Sequence, residues 1–346
     1  MKQNFCTLFD SNYLSRGVAL YNSLSEHAND FHLFVFAFDE KAFEVLRELS
    51  LRNVTVISLK EFEDEKLLHV KPLRTAAEYC WTCTPSIIRY AINKFGLSAC
   101  TYLDADLFFY NDPSVLINEM GTKSVLITRH RYTPQYDQSS TSGIYCVQFM
   151  TFRNDEKGMT VLNWWREACI DWCYARLENG KFGDQKYLDD WTTRFDGVHE
   201  LRHLGGGLAP WNIQQYSIQR GGDPLLLKEN RSGEKFKPVF FHFHYLKFFQ
   251  DEIVKLTGDY LISHDFVRVF YIPYVNKLIS INNELNLRWP GLNSNGAGTS
   301  CPHKPYDIKD KIHIYKNAFS SFKRGEVRKA YVHIHTHNYF YLNQLI

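Results

Sequence analysis

Several absences narrow the reading of this chain before any motif is weighed. No Gly-x-Gly-x-x-Gly follows the first strand-like segment, Phe5–Phe9, and no Walker-type loop occurs anywhere. A phosphate cradle made of bare backbone N–H groups is therefore not how this chain would hold a nucleotide. No stretch approaches the roughly 20 apolar residues of a membrane helix. The N-terminus, Met1-Lys-Gln-Asn-Phe-Cys-Thr-Leu-Phe9, lacks the charged, apolar and cleavage regions of a signal peptide. The expectation is a cytoplasmic protein, soluble or peripheral at the inner face of the membrane. An excess of one charge is missing too: 40 Lys and Arg stand against 38 Asp and Glu, a formal +2, which gives no reason to expect nucleic acid. The eight cysteines are scattered. Cys80-Trp-Thr-Cys83 has the spacing of half a zinc site, but no second half follows, and Cys169 and Cys173 share a helical face. Reduced core thiols are the expectation.

What is present is an alternation of strands and helices. Phe5–Phe9 is followed by a helical pattern carrying Tyr13, Leu14, Val18, Leu20, Tyr21 and Leu24. Phe31–Phe38 is a continuous apolar run, the mark of a strand covered on both faces. Glu40–Leu49 reads as an amphipathic helix and Val54–Leu59 as a third strand. Such β-then-α repeats predict parallel strands in a doubly wound sheet. Lys71–Cys80 reads as a polar link, with a helix starting at Thr84-Pro85 and running to about Phe95. Strands are expected at Cys100–Leu103, Ser124–Thr128, Gly143–Phe152 and Pro238–His244. The longest helical pattern is Gly158–Glu178. The fold class is α/β: a mostly parallel sheet flanked by helices over residues 1–250. Residues 251–346 form a mainly helical C-terminal extension. Within that extension Leu292–Pro302 reads as a loop or linker. Residues 304–329 carry eight Lys/Arg against three Asp/Glu, interleaved with aromatics. That suits an anionic membrane surface, and equally a solvated helical face packed on the main domain.

The stretch Cys100-Thr-Tyr-Leu-Asp104-Ala105-Asp106 places two carboxylates just beyond an apolar strand. Carboxylates are costly there unless exposed, paired or bound to a cation, and positions i and i+2 at a strand end can converge on one divalent ion. Asp10, Ser11, Asn12 and Tyr13 form a side-chain-rich turn after the first strand, fit either to cap a helix or to hold a base and ribose. Asp184 reads as a helix N-cap. His242 and His244 share one strand face by the period of two, with Lys247 close behind.

In this order the motifs resemble the GT-A nucleotide-sugar glycosyltransferases, and most closely glycosyltransferase family 8, the glycogenin and lipopolysaccharide galactosyltransferase type. The resemblance spans about Phe5 to Lys247. It implies that Asp104, Ala105 and Asp106 contact the donor and that Asp104 and Asp106 also bind the metal. The third ligand is His242 or, alternatively, His244. Thr7, Asp10, Asn12 and Tyr13 would line the donor nucleotide, Arg89 and Lys247 would contact the donor, and Asp184-Gln185 would lie beside the reacting sugar. Trp211-Asn212 matches a recurring Trp-Asn. Tyr245 stands where the family has glycine, Lys247 comes one residue early, and Cys146 and Gln148 stand near the family's Asn-x-Gly. The implied cofactor is Mn2+ or Mg2+, with imidazole ligation favouring manganese. The implied reaction is transfer of a hexose from a nucleotide sugar, UDP-linked in most relatives, to a glycan or lipid-linked glycan, with retention. A catalytically degenerate sugar- or nucleotide-binding protein of the same fold is the alternative. A sugar nucleotidyltransferase would want the glycine-rich loop that is missing. An Asp-x-Asp phosphatase would place its pair after the first strand rather than about the fourth.

Overall fold

Side-chain alternation along the first strands sets up two cores. Strand β1 (Gln3–Phe9) sends Phe5 and Phe9 to one face and Cys6 and Leu8 to the other. Strand β2 (Phe31–Ala37) divides Leu33 and Val35 from Phe34 and Phe36 in the same way. Strands β3 (Val54–Ser58) and β4 (Ala99–Leu103) continue the sheet, and β5 (Leu107–Phe109) leaves it. Strands β6 (Val125–Arg129), β7 (Tyr145–Arg153) and β8 (Val198–Glu200) complete seven strands in the order β3-β2-β1-β4-β7-β6-β8. The first four are parallel, β7 runs antiparallel to β4 and β6, and β8 is parallel to β6. Beyond the sheet lie the ribbon of β9 (Tyr216–Ile218), β10 (Leu227–Glu229) and β11 (Lys235–Phe236), then β12 (Phe240–His242), paired with β5. Strands β13 (Lys247–Phe248), β14 (Ile253–Lys255) and β15 (Tyr339–Tyr341) close a last small sheet. The computed structural model describes residues 2–219, 224–302, 316, 319–320, 323–324 and 338–345. The basic, aromatic stretch 304–329 therefore lies, apart from those isolated positions, outside the described residues.

One face of the sheet is covered by the helices Leu14–His27 and Ile272–Arg288. Phe270, Tyr271, Tyr274 and Leu278 enter the same core as Phe5 and Val35. The other face is covered by the helices Ala76–Phe95 and Glu156–Asp171, where Cys83, Ile87, Trp165 and Cys169 pack on Cys6 and Phe36. Cys6, Cys83, Cys100, Cys146, Cys169 and Cys173 are buried thiols; Cys169 and Cys173 are fully buried, as their spacing suggested.

Three local expectations need correction. The helix assigned to Thr84-Pro85 begins a full two turns earlier, at Ala76. Thr75 and Glu78 form a reciprocal cap, with the Thr75 N–H donating to Glu78 Oε2 at 2.8 Å and the Glu78 N–H to Thr75 Oγ1 at 3.3 Å. Pro85 sits inside the helix; burial of its neighbours on the sheet outweighs the missing N–H. This 20-residue helix is also the longest among the described residues, whereas the pattern read as Gly158–Glu178 is a helix of 16 residues, Glu156–Asp171, started by Asp155. Finally, residues 292–298 form a loop, as expected, but one pinned to the main domain rather than a linker. The Ser294 carbonyl accepts from the Ser15 N–H (3.1 Å) and hydroxyl (3.0 Å), and the Asn295 carbonyl accepts from Arg16 at 3.0 Å. Gly296 has φ +59°, and a Cβ there would lie 2.9 Å from the Asn12 carbonyl oxygen, so only glycine allows this approach.

Candidate metal and donor site

Strand pairing builds the centre of the site. The first of the two carboxylates follows directly on β4, where the Asp104 N–H donates to the Gln148 carbonyl at 3.0 Å. The second precedes β5. Antiparallel pairing of β5 with β12 sets His242 opposite Leu107, and the Phe243 N–H donates to the Asp106 carbonyl at 3.0 Å. His242 Nε2 thereby reaches 3.1 Å from Asp106 Oδ1 and 3.7 Å from Asp104 Oδ2. One ligand atom from each of these three residues lies within 4.8 Å of the others, the one such cluster among the described residues. Ligands at about 2.1 Å from an octahedral ion stand about 3 Å apart when adjacent, so the donor set fits a divalent cation with little movement.

Neighbouring groups orient these ligands. His242 Nδ1 lies 2.9 Å from Gln148 Oε1. With Nδ1 as donor to Gln148, a protonated Nε2 donates to Asp106, and loss of that proton leaves the Nε2 lone pair facing both carboxylates, as metal binding requires. The Tyr102 hydroxyl donates to Asp104 Oδ1 at 2.8 Å. Burial pushes the Asp104 carboxyl up to about 7, a rise that Asp106 reinforces and His242 opposes. For Asp106 burial acts in the same sense, but the His242 imidazole, its hydrogen bond, His244 and Arg16 outweigh it and pull that carboxyl down to about 2. Burial works against protonation of His242, and the two carboxylates overcome it, so its pKa is raised. Two close carboxylates drawing positive charge onto a buried imidazole are the electrostatics of a cation site.

The pairing also separates the two histidines. β12 ends at His242; His244 lies beyond it, with its ring 5.4 Å from that of His242 and 5.3 Å from that of Trp211. Burial and His242 lower the His244 pKa to about 3. His242 is the histidine that converges on both carboxylates.

Other expected site residues are placed as follows. Asp10 caps the first turn, its carboxylate accepting from the Asn12 N–H at 3.0 Å and the Asn12 side-chain amide at 3.2 Å. Tyr13 is partly exposed, with the Arg16 guanidinium 4.4 Å from its ring centre. Thr7 is fully buried beneath this turn, its hydroxyl without a hydrogen-bond partner among the described residues. Ala105 is buried between the two aspartates. Asp184 is buried, and burial, reinforced by the Asp104 charge, pushes its carboxyl up to about 8. The Gln185 amide donates to the Ser142 carbonyl at 2.8 Å. Lys247 is exposed, 5.6 Å from the Tyr245 ring centre. Trp211-Asn212 ties segments together: both side chains donate to the His130 carbonyl at 2.8 Å.

Arg89 is not brought to the carboxylates. Its Nε donates to Asn163 Oδ1 at 2.9 Å, on the helix behind the sheet. The arginine whose charge reaches Asp106 is Arg16, which sequence reasoning passed over. It is 3% exposed and donates to the carbonyls of Leu246 (2.9 Å) and Asn295 (3.0 Å), joining the helix that follows the Asp10–Tyr13 turn to the segment after His242. Nothing in the sequence marks it apart from its place one turn after Tyr13. Gln148 was noted only as a departure from a motif, yet a glutamine inside the apolar run of β7 is itself a signal, because a buried amide needs a partner.

The chain is 29% identical to the uncharacterised protein YfnD of Bacillus subtilis (strain 168) over 292 residues, 83% of this chain and 92% of that protein. It is 31% identical to the uncharacterised protein YfnF of the same organism over 251 residues, 70% of this chain and 81% of that one. The chain belongs to the YfnF family. No protein-family model matches it. Among solved structures it is similar to the galactosyltransferase LgtC in complex with donor and acceptor sugar analogues. The TM-score is 0.50 and the identity 11%, covering 80% of this chain and 96% of LgtC. The likeness shows the fold: this YfnF-family protein has the GT-A architecture, with its mainly parallel sheet and helical C-terminal region, as the order of motifs implied. No helix among its described residues is long and apolar enough to cross a membrane.

Proposed function

We propose that this protein is a divalent-metal-dependent glycosyltransferase that moves a hexose or similar sugar from a nucleoside-diphosphate donor to a glycan. The observation that carries the reading is the convergence of Asp104, Asp106 and His242 at the end of β4, in a GT-A sheet. A bound Mn2+ or Mg2+ would supply Lewis-acid neutralisation of the leaving diphosphate, and the imidazole favours Mn2+. The protein's own residues do the rest. Asp10, Asn12 and Tyr13 receive the nucleotide, with UDP the first choice from the resemblance. Arg16 holds their turn to the Leu246 backbone. Lys247 adds a charge-assisted contact to the diphosphate. Asp184 and Gln185 flank the sugar and steady positive charge at its reacting carbon, which suits a retaining transfer. The acceptor class is a glycan or lipid-linked glycan of a bacterial surface polysaccharide, glycosylated at the cytoplasmic face of the membrane. The basic composition of residues 304–329 supports that last point from sequence alone.

The test is a thermal-shift screen of UDP, GDP, CDP and dTDP with and without Mn2+. One nucleotide should raise Tm with the metal and much less without it. If no nucleotide raises Tm at millimolar concentration, the reading fails.

A further inference from the structure

Tyr245 has φ +65°, the left-handed region that favours glycine, yet it carries a tyrosyl side chain. The ring is not compensated by burial in the core, because the residue is 53% exposed. It lies one ring out from the metal cluster: its ring is 4.4 Å from that of His244 in an edge-on contact, and the His244 ring is 5.4 Å from that of His242. Tyr260 stands beside it: a Cβ on Gly258 would lie 3.7 Å from Tyr260 and 4.0 Å from Tyr245, so the two rings flank a notch floored by a residue without a side chain. The notch is held in place from behind. Buried Asn338 donates to the carbonyls of Gly258 (2.7 Å) and Tyr260 (2.9 Å), and the Tyr260 hydroxyl accepts from the exposed Gln138 amide at 3.1 Å. Tyr136 adds a third ring, 5.1 Å from Tyr260.

We propose that Tyr245 and Tyr260 form the platform on which the ring of the acceptor sugar stacks, an inference that rests on the transferase reading above. Flat aromatic faces suit the C–H face of a pyranose, while phenol and amide groups at their edges suit its hydroxyls. The platform belongs to the acceptor rather than the donor because of its connections. Tyr260 runs on to Trp211 and Tyr136, and Tyr245 to His244 on one side and to Lys247, the diphosphate lysine, on the other, so the platform begins where the donor ends. The ring on the donor-side turn, Tyr13, instead packs under Arg16. The Tyr245–Tyr260 pair is thus separate from Tyr13, and Tyr260 reaches the metal histidine through the Trp211 ring, 6.5 Å from Tyr260 and 5.4 Å from His242.

Tyr245→Gly removes the ring and relieves the backbone in one step, so a purely structural role and a binding role part company. The full chain, with UDP and Mn2+ present, is titrated with methyl glucopyranoside, methyl galactopyranoside and methyl N-acetylglucosaminide, and binding is read by saturation-transfer NMR. At least one glycoside should bind the unaltered protein. Tyr245→Gly should weaken it roughly three- to tenfold, the range of one aromatic stacking contact, and Tyr245→Phe should retain it. Tm in the glycine variant should hold or rise. Unchanged glycoside binding in Tyr245→Gly overturns the proposal, as does a Tm lowered by several degrees. Binding of no glycoside while UDP with Mn2+ still binds overturns the platform and leaves the transferase reading standing. Failure of UDP, GDP, CDP and dTDP alike to bind with Mn2+ overturns both.

Discussion

Replacing Gln148 by leucine isolates one hydrogen bond behind the metal site. Gln148 is fully buried on β7, and its Oε1 lies 2.9 Å from His242 Nδ1. Without that acceptor the imidazole loses the contact that fixes its tautomer and aims Nε2 at Asp104 and Asp106. Partners of this kind are worth about 10- to 100-fold in metal affinity. That corresponds to about 1.4–2.8 kcal/mol. Stability should respond less. Leaving the His242 N–H buried and unsatisfied costs about 1–3 kcal/mol. Gln148 Nε2, however, is already buried without a partner among the described residues, so leucine also removes a standing penalty. The two effects oppose each other, and Tm should move by only a few degrees. Calorimetric titration of Mn2+ into the UDP-saturated protein measures the affinity, and a melting curve of the apo protein measures stability. Manganese affinity within twofold of the unaltered protein would refute the role given to Gln148, and with it the argument that His242 binds through Nε2.

Other substitutions probe the surroundings. Arg16→Lys cannot reach both the Leu246 and Asn295 carbonyls, so it should lower stability by about 1.5–3 kcal/mol, the worth of one charge-assisted hydrogen bond; an unchanged urea-unfolding free energy would sink that role. Arg89→Ala removes a contact to Asn163 only and should leave UDP affinity within twofold, whereas a large loss would restore the donor role that the resemblance implied. Gly296→Ala forces a Cβ against the Asn12 carbonyl at a left-handed position and should cost about 1–3 kcal/mol in urea unfolding; a neutral result would mean that the 292–298 loop is free to move away.

Much of the fold could be read directly because burial on both faces leaves a continuous apolar run. Phe31–Phe38 needs no context to be a central strand, and β1 shows its two faces in Phe5/Phe9 against Cys6/Leu8. Misreadings arose where a strong local rule competed with a weaker one. Pro85 reads as a helix start, but the Thr75-Ala-Ala-Glu78 cap ten residues earlier is the signal that decides, and both stand in the chain. The glycine, serine and asparagine of 292–298 look like a linker because the groups that order them, Ser15 and Arg16, lie about 280 residues away. The same limit applies to the site. Asp104 and Asp106 are legible because their spacing at a strand end is local. Choosing His242 over His244 required the β5–β12 register, which periodicity alone does not contain. A family position was carried onto Arg89, but position is not contact, and this chain spends that arginine on Asn163.

The central claim is metal-dependent turnover of a nucleotide sugar at the Asp104–Asp106–His242 cluster. Its most direct test is slow hydrolysis of a panel of nucleotide sugars by the purified chain with Mn2+, run beside Asp106→Asn. Hydrolysis of one donor by the unaltered protein, lost on chelation and abolished in Asp106→Asn, is the predicted result. No hydrolysis of any donor, or equal rates in Asp106→Asn, would contradict it.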